Sequence, residues 1–305
     1  MAKISVVMAV FNGAETISLS MASILEQTER DLEVIVVDDG STDDTPRLLA
    51  EIARSDERVR ILTQPNAGLT RALVRGCAEA KSPIIARHDS DDRSYPERFA
   101  KQVAVLEREP DVVLVSCSTS FQAPGGERLY VTSGEGEAVR QNLLHADLAH
   151  IRGLSSHGSA MFRRSAYAAA GGYRAEFRFG QDLDLWVRLA KLGRIVFVPE
   201  VLYEARVDAR AISTHNRGQQ IESARLALRL RDDESNRESL LAEVAAIGRQ
   251  QQPRRSRTAE AGALYFMASC LRREKHPNWR RYAGQALRRN PFLLRAWVLL
   301  LRGAR

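Results

Sequence analysis

The chain has 305 residues, of which 44% are hydrophobic and 27% are charged. This length and composition allow a large buried core, arranged either as one domain with an appendage or as two domains, and they exclude a disordered or fibrous protein. The net charge of +7 is uneven, because residues 1–211 carry −4 and residues 212–305 carry +11. The basic tail indicates an anionic partner, such as a membrane surface or nucleic acid, or amphipathic helices with solvated arginines.

Cysteine use and hydropathy indicate a cytoplasmic protein. The three cysteines, Cys77, Cys117 and Cys270, are far apart and show no C-x-x-C spacing, so we expect neither a disulfide framework nor a zinc site. The amino-terminal apolar run ends at Asn12, well short of the ~20 residues that span a bilayer. The apolar run FLLRAWVLLL near the other end is interrupted by Arg295. We predict no membrane-spanning segment.

The first 117 residues alternate between short apolar runs and amphipathic segments. The runs ISVVMAV, LEVIVVDD, VRILTQ, SPIIARHD and VVLVSC predict strands, and the segments AETISLSMASILEQT, DTPRLLAEIARSD and AGLTRALVRGCAEA predict helices. In the second of these helices, Asp44 or Thr45 is the expected N-cap and Pro46 the first helical residue. The alternation predicts βαβ units and a mostly parallel sheet flanked by helices.

The next hundred residues predict further strands and helices. RLYVTS predicts a strand, GEAVRQNLLHAD a helix, HGSAMFRRSAYAAAGGYR a strand leading into a short helix, and FGQDLDLWVRLAKLG an amphipathic helix. RIVFVP and VLYEARV predict a final pair of strands. We place a domain boundary after residue 212, so that residues 1–212 form the α/β domain and residues 213–305 form a helical region.

The helical region carries apolar residues at helical spacing. Leu264, Met267 and Leu271 form one set, and Trp297, Leu300 and Leu301 form a second. This spacing predicts that both sets pack between helices. The flanking arginines leave open a second interpretation, in which the helices lie on anionic lipid headgroups.

Three predicted strands end in polar motifs. These motifs are AVFNGAE after the first strand, VDDGSTDD after the second and RHDSDD after the fourth. Open parallel sheets bind ligands beyond the carboxyl ends of their strands, so we expect the functional site there. Neither the G-x-G-x-x-G fingerprint nor the G-x-x-x-x-G-K-[ST] phosphate loop follows the first strand. The predicted sheet therefore binds its ligand in another way.

The acidic motif predicts a metal site. Asp89 and Asp91 flank Ser90 as D-x-D, and residues two apart in an extended segment project to the same side. Two carboxylates that face one point suit Mg²⁺ or Mn²⁺, with water and phosphate oxygens as the remaining ligands. Asp92 alternatively caps the helix predicted over YPERFAKQVAVLERE.

The VDDGSTDD motif has two interpretations. Asp38 and Asp39 end a strand, and Gly40 permits a turn with positive φ, so the motif suits a capped strand-to-helix turn. A carboxylate at this position also accepts hydrogen bonds from the N–H group of a base or from a ribose hydroxyl.

Five stretches together resemble the family 2 glycosyltransferases of the GT-A fold, in the non-processive bacterial branch. These stretches are SVVMAVFNGAETI, EVIVVDDGSTDDT, ARHDSDDRSYPERF, HGSAMFRRSAYAAAGGYR and QDLDLWVRLAKLG, and the resemblance covers roughly residues 3–210. It implies a nucleotide-diphosphate sugar donor, a divalent cation (Mn²⁺ or Mg²⁺) and inversion at the anomeric carbon. By position it places Val10, Phe11, Glu15, Asp38 or Asp39, Arg87 and Ser90 at the donor nucleotide, and Asp89 and Asp91 at the metal.

The resemblance also implies a general base. Asp182 matches the family's catalytic aspartate, and Gln181 stands before it where a glutamate is usual. A carboxylate here takes the proton of the acceptor hydroxyl as that hydroxyl attacks the sugar. Asp182 alternatively serves only to stabilise the start of its helix. Asp184 is the second candidate for the base.

Four further residues are matched by position. His157 resembles a position near the acceptor cleft. Arg206 matches an arginine of the family, and Asp208 then stands where some relatives have a histidine that completes the metal shell. His215 is a rival for that role, and a surface residue is the alternative reading of this histidine.

The sequence therefore predicts an inverting, metal-dependent glycosyltransferase that acts in the cytoplasm, at the inner face of the membrane if the basic tail binds lipid. The expected donor is a UDP-sugar, and the expected acceptor is a glycan or a lipid-linked glycan of cell-surface polysaccharide synthesis. Two alternatives are a nucleotidyltransferase and a non-catalytic protein that binds sugar nucleotides or glycans. The tail lacks a recognisable nucleic-acid-binding motif, so nucleic acid is not an expected partner.

Overall fold

A computed structural model of the chain describes residues 2–209, 212–250 and 256–301. Its first four strands are spaced by three helices, as the alternation of the sequence predicts. The strands within the described residues are β1 (Ile4–Val10), β2 (Leu32–Asp38), β3 (Val59–Thr63), β4 (Ile84–Asp89), β5 (Arg93–Ser94), β6 (Val112–Gln122), β7 (Arg128–Thr132), β8 (Met161–Arg163) and β9 (Arg194–Arg206).

The helices in the described part of the chain divide into two groups. Those that accompany the strands are α1 (Ile17–Leu25), α2 (Thr45–Ser55), α3 (Leu69–Glu79), α4 (Arg98–Arg108), α5 (Gly136–His145), α6 (Arg164–Ala169) and α7 (Gln181–Ala190). Those that follow the last strand are α8 (Ile212–His215), α9 (Arg217–Asp232), α10 (Arg237–Arg249), α11 (Arg257–Arg273), α12 (Trp279–Arg289) and α13 (Leu294–Leu301).

The described strands form one mixed sheet in the order β3-β2-β1-β4-β8-β6-β9-β5, with β7 paired to β6. Strands β3, β2, β1 and β4 are parallel, as predicted for βαβ units. The pairs β4–β8, β6–β8 and β5–β9 are antiparallel. The expected α/β fold is confirmed, and its parallel part is the half of the sheet that carries the three polar strand ends.

The predicted final pair of strands is wrong. RIVFVP and VLYEARV form a single strand, β9, of 13 residues. Strand β5 is only two residues long and pairs with β9 opposite Tyr203 and Glu204. Pro199 therefore lies outside the part of β9 that pairs with β5. A proline is tolerated there because an unpaired strand edge does not need its backbone N–H group.

The parallel strands are buried on both faces. Every residue of β1 is buried, and Val7, Ile35 and Ile85 belong to one apolar cluster with helix α3. Gly76 of α3 allows the helix to approach the sheet closely, since a Cβ there would lie 2.7 Å from Val7 Cγ1 and 3.2 Å from Val37 Cγ2. Continuous burial explains why these strands read as unbroken apolar runs.

The chain forms two compact units that interleave along the sequence. The first comprises residues 1–119, 132–205 and 222–249, and the second comprises residues 120–131, 206–221 and 250–305. The predicted division into domains at residue 212 stays a prediction. In the first unit, helices α9 and α10 bury an apolar cluster that includes Phe177, Leu226 and Val244.

The second unit has its own apolar core. Met267 and Leu271 of α11 are fully buried with Tyr282 and Ala283 of α12, and Leu264 is partly buried, so the first predicted packing set is confirmed. The second set is only partly correct. Leu300 packs against the core, whereas Trp297 and Leu301 are 47% and 70% exposed.

Membrane-spanning helices were also predicted to be absent. No helix in the described ranges is both long and apolar enough to cross a membrane.

Candidate active site

The polar ends of β1, β2 and β4 meet at one edge of the sheet. Val10 lies opposite Asp38 in the parallel ladder, and Ala9 lies opposite Asp89. The β1–β2 and β1–β4 pairings therefore place the AVFNGAE, VDDGSTDD and RHDSDD motifs side by side. This is the edge at which open parallel sheets bind ligands.

The loops after β1 and β2 hold each other in place. The Asn12 N–H group donates to Ser41 Oγ at 2.9 Å, and the Thr42 N–H group donates to Asn12 Oδ1 at 2.8 Å. The Gly13 N–H group donates to Thr45 Oγ1 at 2.8 Å. Asn12 has a φ of 53°, a conformation that asparagine adopts more readily than most residues. These bonds fix the backbone that leads into the predicted nucleotide pocket.

The predicted nucleotide-pocket residues of the first loop differ in exposure. Val10 is buried at 3% exposure, so little of its side chain is open to a ligand. Phe11 is 50% exposed and Glu15 is exposed. An exposed aromatic ring at a ligand-binding edge is suited to stacking against a base.

Asp38 and Asp39 are both buried, at 2% and 3% exposure. Asp38 Oδ1 accepts from the Ser41 N–H group at 3.0 Å. Both oxygens of Asp39 accept from the loop after β3, with the Gly68 N–H group bonded to Oδ2 at 2.8 Å and the Gln64 side chain bonded to Oδ1 at 2.7 Å. The capped-turn interpretation therefore fits Asp38, whereas Asp39 links the end of β2 to the loop after β3, and Gly40 has the predicted positive φ of 79°. A nucleotide contact by either carboxylate stays a prediction.

The D-x-D segment is a turn rather than the extended segment that the sequence predicts. The Asp92 N–H group donates to the Asp89 backbone oxygen at 3.3 Å, which closes a turn over residues 89–92. The Ser90 backbone oxygen accepts from Thr16 Oγ1 at 3.0 Å and from Ser20 Oγ at 2.9 Å. Helix α1 thus fixes the turn from one side, and Asp91 is exposed at its tip.

Asp92 faces inward. It is 5% exposed, and its backbone oxygen accepts from Ser20 Oγ at 2.7 Å. Helix α4 begins only at Arg98 and its N-cap is Glu97, so the expectation that Asp92 caps this helix is wrong.

The Asp89 carboxylate is held in its ionised form. Its side chain is 27% exposed, and Asp89 Oδ1 forms a short ion pair with Arg87 Nη2. Burial alone would raise the pKa of Asp89, but the charge of Arg87, the interactions with His157 and His88, and the hydrogen bond from Arg87 together lower it. An ionised carboxylate at the rim of the site is what cation binding requires.

Arg87 lies beneath the site rather than in it. Its side chain is fully buried, and Nη1 donates to the backbone oxygens of Val7 at 3.0 Å and His88 at 2.7 Å. Nε donates to His157 Nε2 at 3.4 Å. Because its donors are directed to protein atoms, the predicted contact between Arg87 and the donor nucleotide does not fit the structure. Arg87 instead positions Asp89 and His157.

A second buried arginine supports the same turn, and sequence reasoning missed it. Arg98 of α4 donates to the backbone oxygen of Arg87 at 2.9 Å and to that of Gly158 at 2.7 Å, and its guanidinium lies 4.7 Å from the ring of Tyr203. Tyr203 Oη in turn accepts from the Asp89 N–H group at 3.1 Å. Arg98 lies in the quoted motif YPERF, which was the available signal.

His157 links the metal motif to the predicted base. Its Nε2 accepts from Arg87 and lies 2.7 Å from Tyr173 Oη, which fits a neutral ring with the proton on Nδ1. Burial and the charge of Arg87 lower the pKa of His157 to about 4, while Asp89 and Asp182 act in the opposite direction. His157 therefore interacts electrostatically with both Asp89 and Asp182.

Asp182 lies in the first turn of α7. Gly180, with a φ of 69°, ends the preceding loop, and Gln181 is buried at 7% exposure. Asp182 is partly exposed, and no hydrogen bond to its carboxylate occurs within the described residues. A partly exposed carboxylate that is not engaged by protein donors is suited to accept a proton from a bound hydroxyl.

Asp184 is a structural residue. Its side chain is 2% exposed and forms ion pairs with Arg174 at 3.0 Å and with Arg188 at 2.5 Å. Both carboxylate oxygens are used by arginines. The expectation that Asp184 is the second candidate for the base is therefore wrong, and its neighbour Asp182 is the residue available for chemistry.

A bound cation would have two protein ligands. No group of three His, Cys, Asp or Glu side chains that could hold a metal occurs in the described part of the chain. The Asp89 and Asp91 pair nevertheless fits a divalent cation by its chemistry, since Asp89 is ionised, Asp91 is exposed in the same turn, and carboxylate oxygens suit Mg²⁺ and Mn²⁺.

The three remaining candidates, Arg206, Asp208 and His215, belong to the second unit. Arg206 is the last residue of β9, Asp208 lines a cavity of that unit, and His215 Nδ1 accepts from the Ser256 N–H group at 3.3 Å. The match of Arg206 and the predicted roles of Asp208 and His215 toward a metal stay predictions.

Residues 5–170 match the family model described as "Glycosyl transferase family 2". The putative glycosyltransferase EpsE of Bacillus subtilis is 32% identical over 227 residues, which cover 73% of this chain and 79% of EpsE. The amylovoran biosynthesis glycosyltransferase AmsE of Erwinia amylovora is 28% identical over 214 residues, which cover 68% of this chain and 78% of AmsE.

Solved structures show the same fold. S. aureus TarS 1–349 in complex with UDP has a TM-score of 0.56 at 17% identity, covering 97% of this chain and 87% of that structure. The mannosyltransferase PcManGT of Pyrobaculum calidifontis, in complex with GDP-Man and Mn²⁺, has a TM-score of 0.56 at 20% identity, covering 97% and 86%. The predicted GT-A fold is confirmed. By its matching family model and its identity to EpsE, this chain belongs to glycosyltransferase family 2 and is a glycosyltransferase.

Proposed function

We propose that the chain transfers a sugar from a UDP-sugar to an acceptor hydroxyl with inversion at the anomeric carbon. The main support is that the ionised Asp89 and the partly exposed Asp182 both interact electrostatically with His157. This interaction lies at the edge where β1, β2 and β4 end. The complexes of TarS with UDP and of PcManGT with GDP-Man support a nucleotide-sugar donor.

The donor nucleotide lies against the loops after β1 and β2 in this proposal. Phe11 stacks against the base, Val10 and Glu15 border the pocket, and Asp38 or Asp39 accepts a hydrogen bond from the base or the ribose. Ser90 contributes to the diphosphate side of the pocket. The hydrogen bonds between the two loops support this assignment, because they hold the pocket in shape before the donor binds.

The divalent cation, Mn²⁺ or Mg²⁺, is held by Asp89 and Asp91. When bound, it supplies positive charge that stabilises the leaving diphosphate. Arg87 keeps Asp89 ionised and oriented for this role. The Mn²⁺ in the PcManGT complex supports a metal requirement.

Asp182 takes the proton of the acceptor hydroxyl in this proposal. The hydroxyl attacks the anomeric carbon on the face opposite to the leaving diphosphate, and a single displacement inverts the configuration. His157, held neutral beside Arg87 and Tyr173, borders the acceptor side of the site.

A donor-turnover assay tests the proposal. UDP release would be measured with Mn²⁺ and a panel of UDP-sugars for the wild type, Asp91→Asn and Asp182→Asn. We expect release by the wild type with at least one donor, and a fall in kcat/KM of roughly a hundredfold or more in both variants, the range typical for loss of one catalytic group.

Two further variants serve as controls. Asp111→Asn removes an exposed carboxylate that pairs with Arg194 and should leave turnover unchanged. Asp184→Asn removes the charge of a buried ion pair. It should therefore lower the thermal stability of the protein more than it lowers turnover. Full turnover in Asp182→Asn with a folded protein would show that Asp182 is not the base.

Family membership excludes the two alternative functions that the sequence left open. A glycosyltransferase is neither a nucleotidyltransferase nor a non-catalytic binding protein, and no feature of the described residues favours either alternative. AmsE is named for amylovoran biosynthesis. We therefore propose that the acceptor is a glycan or a lipid-linked glycan of a cell-surface polysaccharide.

We also propose that the carboxyl-terminal helices contact anionic lipid. Phe292, Leu294 and Leu301 are 89%, 75% and 70% exposed, around and within helix α13. Exposed aromatic and aliphatic side chains beside arginines suit the headgroup region of an anionic bilayer, and residues 212–305 carry a net charge of +11. This contact would place the enzyme at the cytoplasmic face of the membrane. The three cysteines are free and buried, which fits a reducing compartment.

Vesicle co-sedimentation tests the lipid contact. Phe292→Ser/Leu301→Ser should bind anionic vesicles roughly tenfold more weakly than the wild type, because each change removes apolar area from the interface. Leu19→Ser/Leu192→Ser is the matched control, since these leucines are also exposed, at 64% and 46%, but lie in the first unit. Equal binding by the wild type and Phe292→Ser/Leu301→Ser would refute the contact.

A further inference from the structure

The second unit contains a cavity lined largely by charged residues. Its volume is about 600 Å³, within the range of small-molecule sites. The cavity lies between the loop after β6, the segment after β9, and helices α11 and α12. Its lining includes Gly125 and Asp208 from the two loops, Arg257 and Glu260 of α11, and Arg281 and Tyr282 of α12.

Positive charge predominates in this lining. It includes four arginines and two acidic residues. Arg289 Nε pairs with Glu260 Oε2 at 3.3 Å. The other three arginines, Arg257, Arg281 and Arg288, are exposed, and none of them forms an ion pair with a carboxylate within the described residues.

The arginines are presented on a fixed frame. Arg281, Gln285 and Arg288 are spaced by four and three residues on α12, so they share one face of that helix. Tyr282, which lies beside them, is 3% exposed, and its hydroxyl donates to Glu127 Oε2 at 2.8 Å. The Gly125 N–H group donates to Tyr282 Oη at 3.3 Å. The wall of the cavity is therefore built on buried hydrogen bonds.

We propose that this cavity binds a phosphate-bearing ligand. Guanidinium groups bind phosphate oxygens through paired hydrogen bonds, and a bound anion offsets the repulsion among neighbouring arginines. Gln285 and the Tyr282 ring supply a polar contact and an apolar contact for the rest of the ligand. The site is additional to the donor site and does not depend on the transfer reaction proposed above.

Calorimetric titration of the full chain with pyrophosphate tests this site. EDTA is present throughout, so that no cation at Asp89 and Asp91 contributes to binding. The test variants are Arg281→Gln/Arg288→Gln and the charge-preserving Arg281→Lys/Arg288→Lys. The matched control, Lys275→Gln/Arg295→Gln, removes two exposed cations of the same unit that do not line the cavity.

We expect one binding site in the wild type and in the control, at least tenfold weaker binding in the glutamine variant, and intermediate binding in the lysine variant. If the glutamine variant does not fold, Arg257→Gln takes its place and should weaken binding severalfold. Absence of pyrophosphate binding, or equal weakening in the control and the cavity variants, would overturn the proposal, because the arginines would then be solvated surface residues only.

Competition identifies the source of the phosphate. Displacement of pyrophosphate by glucose 1-phosphate would assign the site to a soluble phosphorylated compound. Displacement only by phosphatidylcholine vesicles that contain phosphatidic acid would assign it to a lipid headgroup. Displacement by neither would overturn the proposal, because both competitors carry the phosphate monoester that the cavity is expected to bind.

Discussion

Single buried residues determine the chemistry of the exposed ones in this site. Arg87 is fully buried and touches no solvent, yet it fixes Asp89 through an ion pair and His157 through a hydrogen bond. The sequence shows Arg87 two residues before Asp89 in a strand, and residues two apart in a strand point to the same side. The contact was therefore foreseeable, whereas the depth of Arg87 depends on strands that pair with β4 from distant parts of the chain.

Arg87→Gln should impair both stability and metal binding. Removing one partner of a mostly buried ion pair leaves the other charge uncompensated, so we expect a loss of about 3 kcal/mol in the free energy of unfolding. The pKa of Asp89 should rise, and the Mn²⁺ concentration needed for half-maximal activity should increase. Urea denaturation and a Mn²⁺ titration of activity measure the two effects.

Arg93→Gln is the matched control for this change. Arg93 is close in sequence, 60% exposed, and 3.8 Å from Glu204. Its replacement should change the free energy of unfolding by no more than about 0.5 kcal/mol. Equal effects of the two substitutions would show that Arg87 has no special role.

His157 should make stability depend on pH. Burial and Arg87 lower its pKa from 6.5 to about 4, so between these values the unfolded chain binds a proton that the folded chain does not. Stability should therefore fall by about 1 kcal/mol per pH unit on acidification through this window, and it should be insensitive to His157 above pH 6.5.

The substitution His157→Gln tests this pH dependence. Glutamine keeps a polar group beside Arg87 and Tyr173 but does not titrate. The free energy of unfolding of the variant should therefore depend measurably less on pH than that of the wild type. Urea denaturation in a series of buffers from about pH 7 to about pH 4.5 gives the slope for both proteins. An unchanged slope would contradict the assignment of His157 as a neutral histidine with a lowered pKa.

Asp182 and Asp184 differ in their ion-pair partners. Both lie in the first turn of α7, and sequence alone offers each as a base. The distinction comes from Arg174 and Arg188, which pair with Asp184. Arg188 is one helical turn away and was a foreseeable partner, but Arg174 approaches from the loop before the helix, whose path the sequence does not specify.

Among the elements around the site, the segment 157–160 contacts both strand β4 and strand β9. Gly158 lies directly against Tyr203, since a Cβ there would be 1.9 Å from Tyr203 Oη and 2.9 Å from Asp89 Oδ2. The Gly158 backbone oxygen accepts from Arg98 at 2.7 Å. The D-x-D turn is thus held by contacts from β9, α4 and this segment together.

Gly158→Ala should disrupt this arrangement. The added methyl group must displace Tyr203 from the Asp89 N–H group, so we expect a loss of about 2 kcal/mol in stability and a weaker response of activity to Mn²⁺. Gly153→Ala is the control, because a Cβ at Gly153 would make only an ordinary contact, 3.8 Å from Trp186 Cδ1. Thermal unfolding of both variants measures the difference. A neutral effect of Gly158→Ala would contradict the close packing.

The elements differ in how well the sequence predicts them. Strands β1 to β4 and helices α1 to α3 follow from local apolar runs and helical periodicity, because the parallel strands are buried on both faces. The two-residue strand β5 has no pattern of its own and exists because β9 pairs with it. The D-x-D turn likewise depends on Thr16, the N-cap of α1, and on Ser20 of α1, which are 74 and 70 residues from Ser90 in sequence.

At the scale of the whole molecule, the two compact units interleave along the chain. The second unit combines residues 120–131, 206–221 and 250–305, so a hairpin tip from the middle of the sequence belongs with the last helices. Helical patterns in the sequence correctly predicted the helices of the basic carboxyl-terminal region. They did not predict this grouping, because it is set by tertiary contacts such as the bond between Asn278 and Glu127 at 2.6 Å.

The proposed function depends most on a divalent cation that Asp89 and Asp91 would hold between the protein and the diphosphate of the donor. The most direct test is calorimetric titration of UDP into the wild type, Asp89→Asn and Asp91→Asn, each with and without Mn²⁺. The account predicts that Mn²⁺ strengthens UDP binding at least tenfold in the wild type and not in either variant. UDP binding that is equally strong with and without Mn²⁺ in the wild type, or equally strengthened by Mn²⁺ in all three proteins, would contradict it.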